Sequence, residues 1–265
     1  MSVTPPGLEV EGLHVGYPNR PVVHGADVTV GAGKVAAIVG PNGCGKSTLL
    51  RSLARLQRPA SGTVRASGDD VWALGRREAA RRIALLPQSP LAPEGVTVSR
   101  LVRFGRHPHQ SVLRQWSRED ERAVREAMEA TATVEFAGEP LARLSGGQRQ
   151  RCWLAMVLAQ ETPLVLLDEP TSALDLGHVV DVLELVREIT AGGRTVVMVL
   201  HDLSAAARYA DTVVAMKDGR VLAQGPPAET VDSALVEELY EVEADVVAGP
   251  SDGAPVVVPR SRSGG

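Results

Sequence analysis

The stretch VAAIVGPNGCGKSTLL, residues 35–50, is an apolar run, a glycine-rich loop and a helix start in immediate succession. VAAIV has the unbroken apolar character of a strand buried on both faces. GPNGCGKS (40–47) fits the pattern G-x-x-x-x-G-K-[ST], and STLLRSLARL continues as a helix. In that context the loop is a phosphate cradle. Backbone N–H groups of residues 41–48 wrap the β-phosphate, and the helix N-terminus adds the positive end of its dipole. The binding set is therefore Gly40, Pro41, Asn42, Gly43, Cys44, Gly45, Lys46, Ser47 and Thr48. Lys46 is expected to bridge β- and γ-phosphates and Ser47 to ligate Mg²⁺. Cys44 contributes its backbone; its side chain is a small packing residue.

Working outward, PLVLLDE (163–169) and RTVVMVLHD (194–202) repeat the buried-strand pattern, and helical periodicity lies between them. In 176–190, Leu176, Val179, Val180, Leu183, Val186 and Ile189 form one stripe. This alternation predicts an α/β layer architecture. VVAMKDGRVLAQG (213–225) predicts a hairpin turning at Asp218-Gly219. Residues 93–158 contain no strand-like run and read as a helical subdomain inserted into the α/β core. In that subdomain, Ser117 and Asp120 form a capping-box pattern. The end of the chain, 246–265, reads as a tail with one last strand at Val256–Val258.

Composition excludes several function classes. The chain has 265 residues, 44% hydrophobic and 23% charged, which suits one large domain or a core with a subdomain. A net charge of −4 gives no basic field for nucleic acid. The first residues, MSVTPPGLEVE, lack the basic and apolar regions of a secretory signal. Apolar runs such as TVVMVL fall well short of the roughly 20 residues that cross a bilayer. Two cysteines, Cys44 and Cys152, make neither a disulfide framework nor a zinc site. A cytosolic protein is expected.

A nucleotide-hydrolysing site also needs acids. At the end of LVLLDE, Asp168 is placed to hold Mg²⁺ through its water shell and Glu169 to polarise the attacking water. Gln88 after IALL and His201 after VVMVL follow apolar runs, where α/β sheets put ligand-contacting residues.

A second glycine motif, LSGGQ (144–148), opens another helix. The P-loop, Gln88, LSGGQ, LLDEPTSALD (166–175) and His201 occur in the order and spacing of ABC-type ATPases. From about residue 8 to about residue 245 the chain resembles the nucleotide-binding subunit of an ABC transporter. The resemblance implies a RecA-like P-loop NTPase core with a mostly parallel sheet, an N-terminal antiparallel β subdomain and the inserted helical subdomain, within a single domain over 1–265. It also implies that two copies stack head to tail around ATP and Mg²⁺. Ser145, Gly146, Gly147 and Gln148 then contact the ATP held by the partner copy's P-loop. Tyr17 would stack on adenine, Asp175 would lie at the dimer seam, and His201 would sense the γ-phosphate. Gln88 would connect Mg²⁺ to the helical subdomain and the membrane partner.

The absence of apolar spans points to separate permease subunits and to import. The stretch from Arg103 to Trp116, with the helix after it, resembles the ATPases of iron–siderophore importers. That likeness implies a peripheral subunit on the cytoplasmic face of the cell membrane, served indirectly by an extracytoplasmic substrate-binding protein. Cobalamin or haem import is the alternative within the class. A soluble ABC ATPase of DNA repair or translation is the alternative outside it, although no nucleic-acid partner is expected. His107 and His109, which flank Pro108, read as a solvated or permease-facing loop rather than an iron site.

Overall fold

A computed structural model of the chain describes residues 6–110, 116–172 and 174–261. The chain opens with the hairpin β1 (Leu8–Tyr17) and β2 (Arg20–Val30). β3 (Val35–Val39) then runs through the glycine loop into α1 (Lys46–Leu53). β4 (Ser61–Ala66), β5 (Asp69–Asp70), α2 (Arg76–Ala79) and β6 (Ile83–Leu86) follow. Three longer helices come next: α3 (Val98–Phe104), α4 (Arg118–Ala130) and α5 (Gly146–Ala159). The chain re-enters the core with β7 (Leu164–Asp168), α6 (Leu176–Ala191), β8 (Thr195–Val199), α7 (Leu203–Tyr209), β9 (Thr212–Lys217) and β10 (Arg220–Gly225). It ends with α8 (Pro227–Thr230), α9 (Ser233–Tyr240), β11 (Ala244–Ala248) and β12 (Pro255–Pro259).

The main sheet has the order β10-β9-β3-β8-β7-β6. All its pairings are parallel except the β9–β10 hairpin, where Asp218 and Gly219 both take positive φ. Two residues at positive φ are what a tight hairpin turn needs to match the strand twist. β2-β1-β4-β5 form a separate antiparallel sheet.

Period-two alternation explains why the parallel strands are apolar through their middles. Val35, Ala37 and Val39 of β3 face one core cluster, while Ala36 and Ile38 face the other. β7 divides in the same way, Val165 and Leu167 against Leu164 and Leu166. One face is covered by helices that include α3, α5, α6 and α7, the other by α1 and the antiparallel sheet. A sheet covered on both sides has no solvated face for a polar side chain.

The helices between β6 and β7 are tied to one another by a buried ion network. Arg106, whose side chain is 1% exposed, donates from Nε to Asp120 Oδ1 at 2.9 Å and from Nη1 to Glu161 Oε2 at 2.6 Å. Nη1 also donates to the Ala159 carbonyl at 2.7 Å. The guanidinium thus joins the end of α3, the start of α4 and the end of α5. Burial pushes the Asp120 and Glu161 carboxyls up. Hydrogen bonds from Arg106, helped by Ser117 and Arg122 respectively, outweigh it and hold both below the usual carboxylate range.

Two expectations change. Leu183, Val186 and Ile189 of the α6 stripe are buried, but Leu176 is 80% and Val180 41% exposed. Val182 and Leu185 fill the core in their place. α6 has 16 residues, about 24 Å of helix, and its neighbour β8 has 5 residues, about 17 Å of strand. The helix therefore overhangs the sheet at its N-terminal end. Within the stretch read as a tail, β12 pairs with β11 in a hairpin, Val246 opposite Val257. This hairpin is fastened to α7 by Val257 N–H to Ser204 Oγ at 3.0 Å and by Arg208 to Asp252 at 2.9 Å.

Leu166→Ala should lower the unfolding free energy by about 2–5 kcal/mol, the cost of a cavity in a close-packed core. Leu176→Ala, on the overhang, should stay within about 0.5 kcal/mol. Urea denaturation followed by circular dichroism checks both, and equal losses would contradict the overhang.

Candidate nucleotide site

Three adjacent strands deliver the polar residues. Leu86 of β6 lies opposite Leu167 of β7, and Asp168 lies opposite Val199 of β8. Gln88, Glu169 and His201 each follow one of these strands, so they emerge side by side with Glu169 in the middle. Glu169 Oε2 accepts from Gln88 Nε2 at 2.5 Å, and Oε1 lies 2.9 Å from His201 Nε2. The Glu169 side chain is 11% exposed. Its backbone has φ 53, left-handed for a residue with a Cβ, which stores on the order of 1–3 kcal/mol. Ser172 holds the turn, donating to the Glu169 carbonyl from N–H at 3.2 Å and from Oγ at 3.0 Å.

The glycine loop is shaped by sterics. Gly40 has φ 145, and a Cβ there would lie 2.0 Å from the Met216 carbonyl oxygen. Gly45, at φ 108, is the N-cap of α1. Both positions exclude an ordinary side chain. Lys46 is buried and folds back, donating from Nζ to Gly40 O at 2.7 Å and to Pro41 O at 2.9 Å. Ser47 Oγ donates to Asp168 Oδ1 at 2.9 Å, spanning from α1 to the end of β7. Asp168 is 4% exposed, and burial raises its carboxyl, a rise that the Ser47 hydrogen bond opposes.

A cavity of about 230 Å³ opens over the loop, its walls including Tyr17, Asn42, Lys46, Ser47, Thr48 and Glu169. The Cys44 side chain packs into the core at 5% exposure, its thiol pushed up by burial. Arg20 also lines the cavity. Sequence reading passed it over; its only signal was its place just after Tyr17-Pro-Asn. Tyr17 is half exposed, with Arg51 Nη1 3.5 Å from its hydroxyl.

Ser145, Gly146, Gly147 and Gln148 are not among the residues lining this cavity. Instead they cap α5: Gln148 N–H donates to Ser145 Oγ at 3.2 Å, and Ser145 N–H to Gln148 Oε1 at 2.9 Å. Asp175 is likewise away from the cavity and caps α6, accepting from His178 N–H at 3.0 Å. The backbone N–H of His178, with its ring, holds the Asp175 carboxyl below the usual range.

The His107–His109 turn is half-buried, with His107 exposed, and its backbone and His109 ring are bonded to neighbouring segments. Pro108 O accepts from Arg77 at 2.9 Å and from Arg81 at 3.0 Å, while His109 Nε2 lies 2.8 Å from Gln160 O. No group of metal-binding side chains occurs among the described residues. Of the Arg103–Trp116 stretch, residues 111–115 lie outside those described. Its two ends meet, the Arg103 guanidinium stacking 3.7 Å from the Trp116 ring centre.

Strand, glycine loop, helix and acidic strand end together define a P-loop nucleoside triphosphatase. The sequence profile of the ABC transporter family matches residues 23–172. The chain belongs to that family and is an ATP-binding, ATP-hydrolysing subunit of it. It is 46% identical to the ferric enterobactin transport ATP-binding protein of Escherichia coli, over 97% of this chain and 95% of that one. It is 49% identical to the hemin import ATP-binding protein of Streptomyces coelicolor, over 94% and 88% respectively. Among solved structures, the inward-facing conformation of a putative metal-chelate type ABC transporter matches with a TM-score of 0.84. That match has 26% identity and covers 97% of this chain and 99% of that one. No helix among the described residues is long and apolar enough to cross a membrane.

Because its folded-state pKa is raised, Asp168 favours the fold most when neutral. That advantage is present below the ordinary value of 3.8 and is lost as pH rises through the raised one. At neutral pH the charge thus works against the fold, and Asp168→Asn should raise the melting temperature of the nucleotide-free protein. The same change should reduce ATP hydrolysis to background. A lowered melting temperature by calorimetry, or retained hydrolysis, would count against this account of Asp168.

Proposed function

We propose that this chain energises uptake of ferric siderophores. It works as a homodimer on the cytoplasmic face of the membrane, beneath separate permease subunits that receive cargo from an extracytoplasmic binding protein. The observation that carries the catalytic part is the meeting of Gln88, Glu169 and His201 at one carboxylate beside the Lys46–Ser47–Asp168 cluster.

The fit to ATP follows from the donors present. Lys46 exchanges its two loop carbonyls for the β- and γ-phosphates, and the loop N–H groups and the α1 terminus hold the chain of phosphates. Tyr17 offers an exposed ring face to adenine. Ser47 Oγ and the buried Asp168 carboxylate, with Gln88, suit Mg²⁺, a hard cation that favours oxygen ligands. When bound, Mg²⁺ supplies neutralisation of the β- and γ-phosphate charge. Glu169 takes the proton of the attacking water on a carboxylate oxygen, and the imidazole of His201 keeps that carboxylate aimed and meets the γ-phosphate. The outer face of the γ-phosphate is left to Ser145, Gly146, Gly147 and Gln148 of a second copy. Gly146 suits that role, since nothing lies within 4 Å of where its Cβ would be. Asp175 would sit at the seam between the copies.

Glu169→Gln should lower turnover by about 10²–10⁴, the usual contribution of a general base. ATP should still bind and hold the variant as a dimer in sedimentation, whereas Ser145→Arg added to it should leave monomers.

Likeness to a ferric enterobactin subunit and to a hemin subunit supports an iron-bearing cargo, and the second makes haem the competing one. In a gene-deletion strain, uptake of radiolabelled iron from ferric siderophore should fall to background while labelled haem and cobalamin still enter. The reverse pattern would assign the cargo to haem or cobalamin.

A further inference from the structure

Gly146 and Gly147 sit side by side at the start of α5, and their surroundings differ. A Cβ on Gly146 would meet open space, whereas one on Gly147 would lie 2.1 Å from His178 Cδ2 and 2.6 Å from Cγ and Nε2. The imidazole of His178 is therefore seated on the backbone of Gly147. It is oriented from its other edge: Nδ1 lies 2.7 Å from Asp175 Oδ1, the oxygen that also accepts the His178 N–H. A carboxylate can only accept, so Nδ1 carries a proton in this contact.

A second tie lies one helical turn further along α5. Gln150 Nε2 donates at 2.8 Å to the carbonyl of Pro170, the residue after Glu169. Residues 147 and 150 are three apart and share a helix face. That face is pinned twice, once by Pro170 of the connection between β7 and α6 and once by His178 in the first turn of α6.

We propose that His178 is a positioning residue that fixes the α5 N-terminus against the Glu169–Asp175 connection, so that the two ATP sites of the dimer act together. The proposal rests on the shared-site reading given above. In such a dimer Glu169 serves the chain's own ATP, while the N–H groups at the head of α5 serve the partner's. The two ends of one rigid contact then belong to two different nucleotides. A change at one γ-phosphate tilts α5, and the His178 ring carries that tilt to Asp175 at the seam and back toward Glu169. Packed contacts with few alternative arrangements transmit such shifts well. His178 itself touches no reacting atom.

The test uses the full chain in the Glu169→Gln background for ATP-driven dimerisation and in the wild-type background for steady-state hydrolysis. His178→Ala should leave ATP affinity of the monomer within about twofold, weaken the ATP-held dimer about tenfold or more, and lower kcat by about tenfold. KM should change little, and the Hill coefficient should fall toward one. Gly147→Ala alone should show the same losses, because its methyl group displaces the ring. In the double variant the ring is gone, so Gly147→Ala should add less than about a further twofold. A purely structural role would lower the melting temperature and scale active protein without shifting the Hill coefficient. An unchanged dimer and kcat in His178→Ala, or fully additive losses in the double variant, would overturn the proposal. If Glu169→Gln itself stayed monomeric with ATP, the shared-site reading would fall and this proposal with it, a result visible before any His178 variant is measured.

Discussion

Burial of the parallel sheet on both faces is the constraint from which the site follows. β3, β7 and β8 are buried at every position and apolar through their middles, so any polar group needed for chemistry must stand at or beyond a strand end. Parallel strands place all those ends on one edge. Gln88, Asp168, Glu169, His201 and the glycine loop gather there because the sheet leaves them nowhere else. The register does the fine alignment: with Asp168 opposite Val199, residues just past β7 and β8 leave at the same level. The Ser47–Asp168 hydrogen bond then reaches across the intervening β8. A charged residue in the middle of one of these strands would disturb the core and the spacing of Gln88, Glu169 and His201 together.

Much of this was legible from sequence because its causes are local. An unbroken apolar run, a glycine pattern that needs positive φ, and an Asp-Gly turn each state their structure within a few residues. The acids at the end of β7 were readable for the same reason. Long-range facts were not. The α6 stripe looked continuous, but which of its turns meet the sheet depends on the length of a strand elsewhere in the chain. Val182 and Leu185 are core residues only because of how that helix is rotated and offset. The partner of β12 was hidden because β11, ADVVA, is short and carries Asp245 among its apolar residues. The different surroundings of Gly146 and Gly147 could not be read at all, since the motif treats them alike and His178 lies on another helix.

The Arg106 network shows how the helical insertion holds together as one piece. A buried guanidinium with carboxylate partners from two other segments is demanding in geometry, and removing one partner would leave an uncompensated buried charge. Burial of the ion pairs thus favours one arrangement of α3, α4 and α5 over looser ones. The insertion can then move as a body rather than deform.

The folding back of Lys46 onto Gly40 and Pro41 bears on the end of the catalytic cycle. An ammonium group left in a vacated cradle without acceptors would favour retaining any anion, spent nucleotide included. The loop supplies acceptors of its own in Gly40 O and Pro41 O, which compete with any phosphate for the same lysine. The strength of nucleotide binding is therefore a difference between two bonded states rather than a gain over an unpaired charge. Such a loop moderates its own grip on phosphate, which suits a subunit that hydrolyses one nucleotide after another.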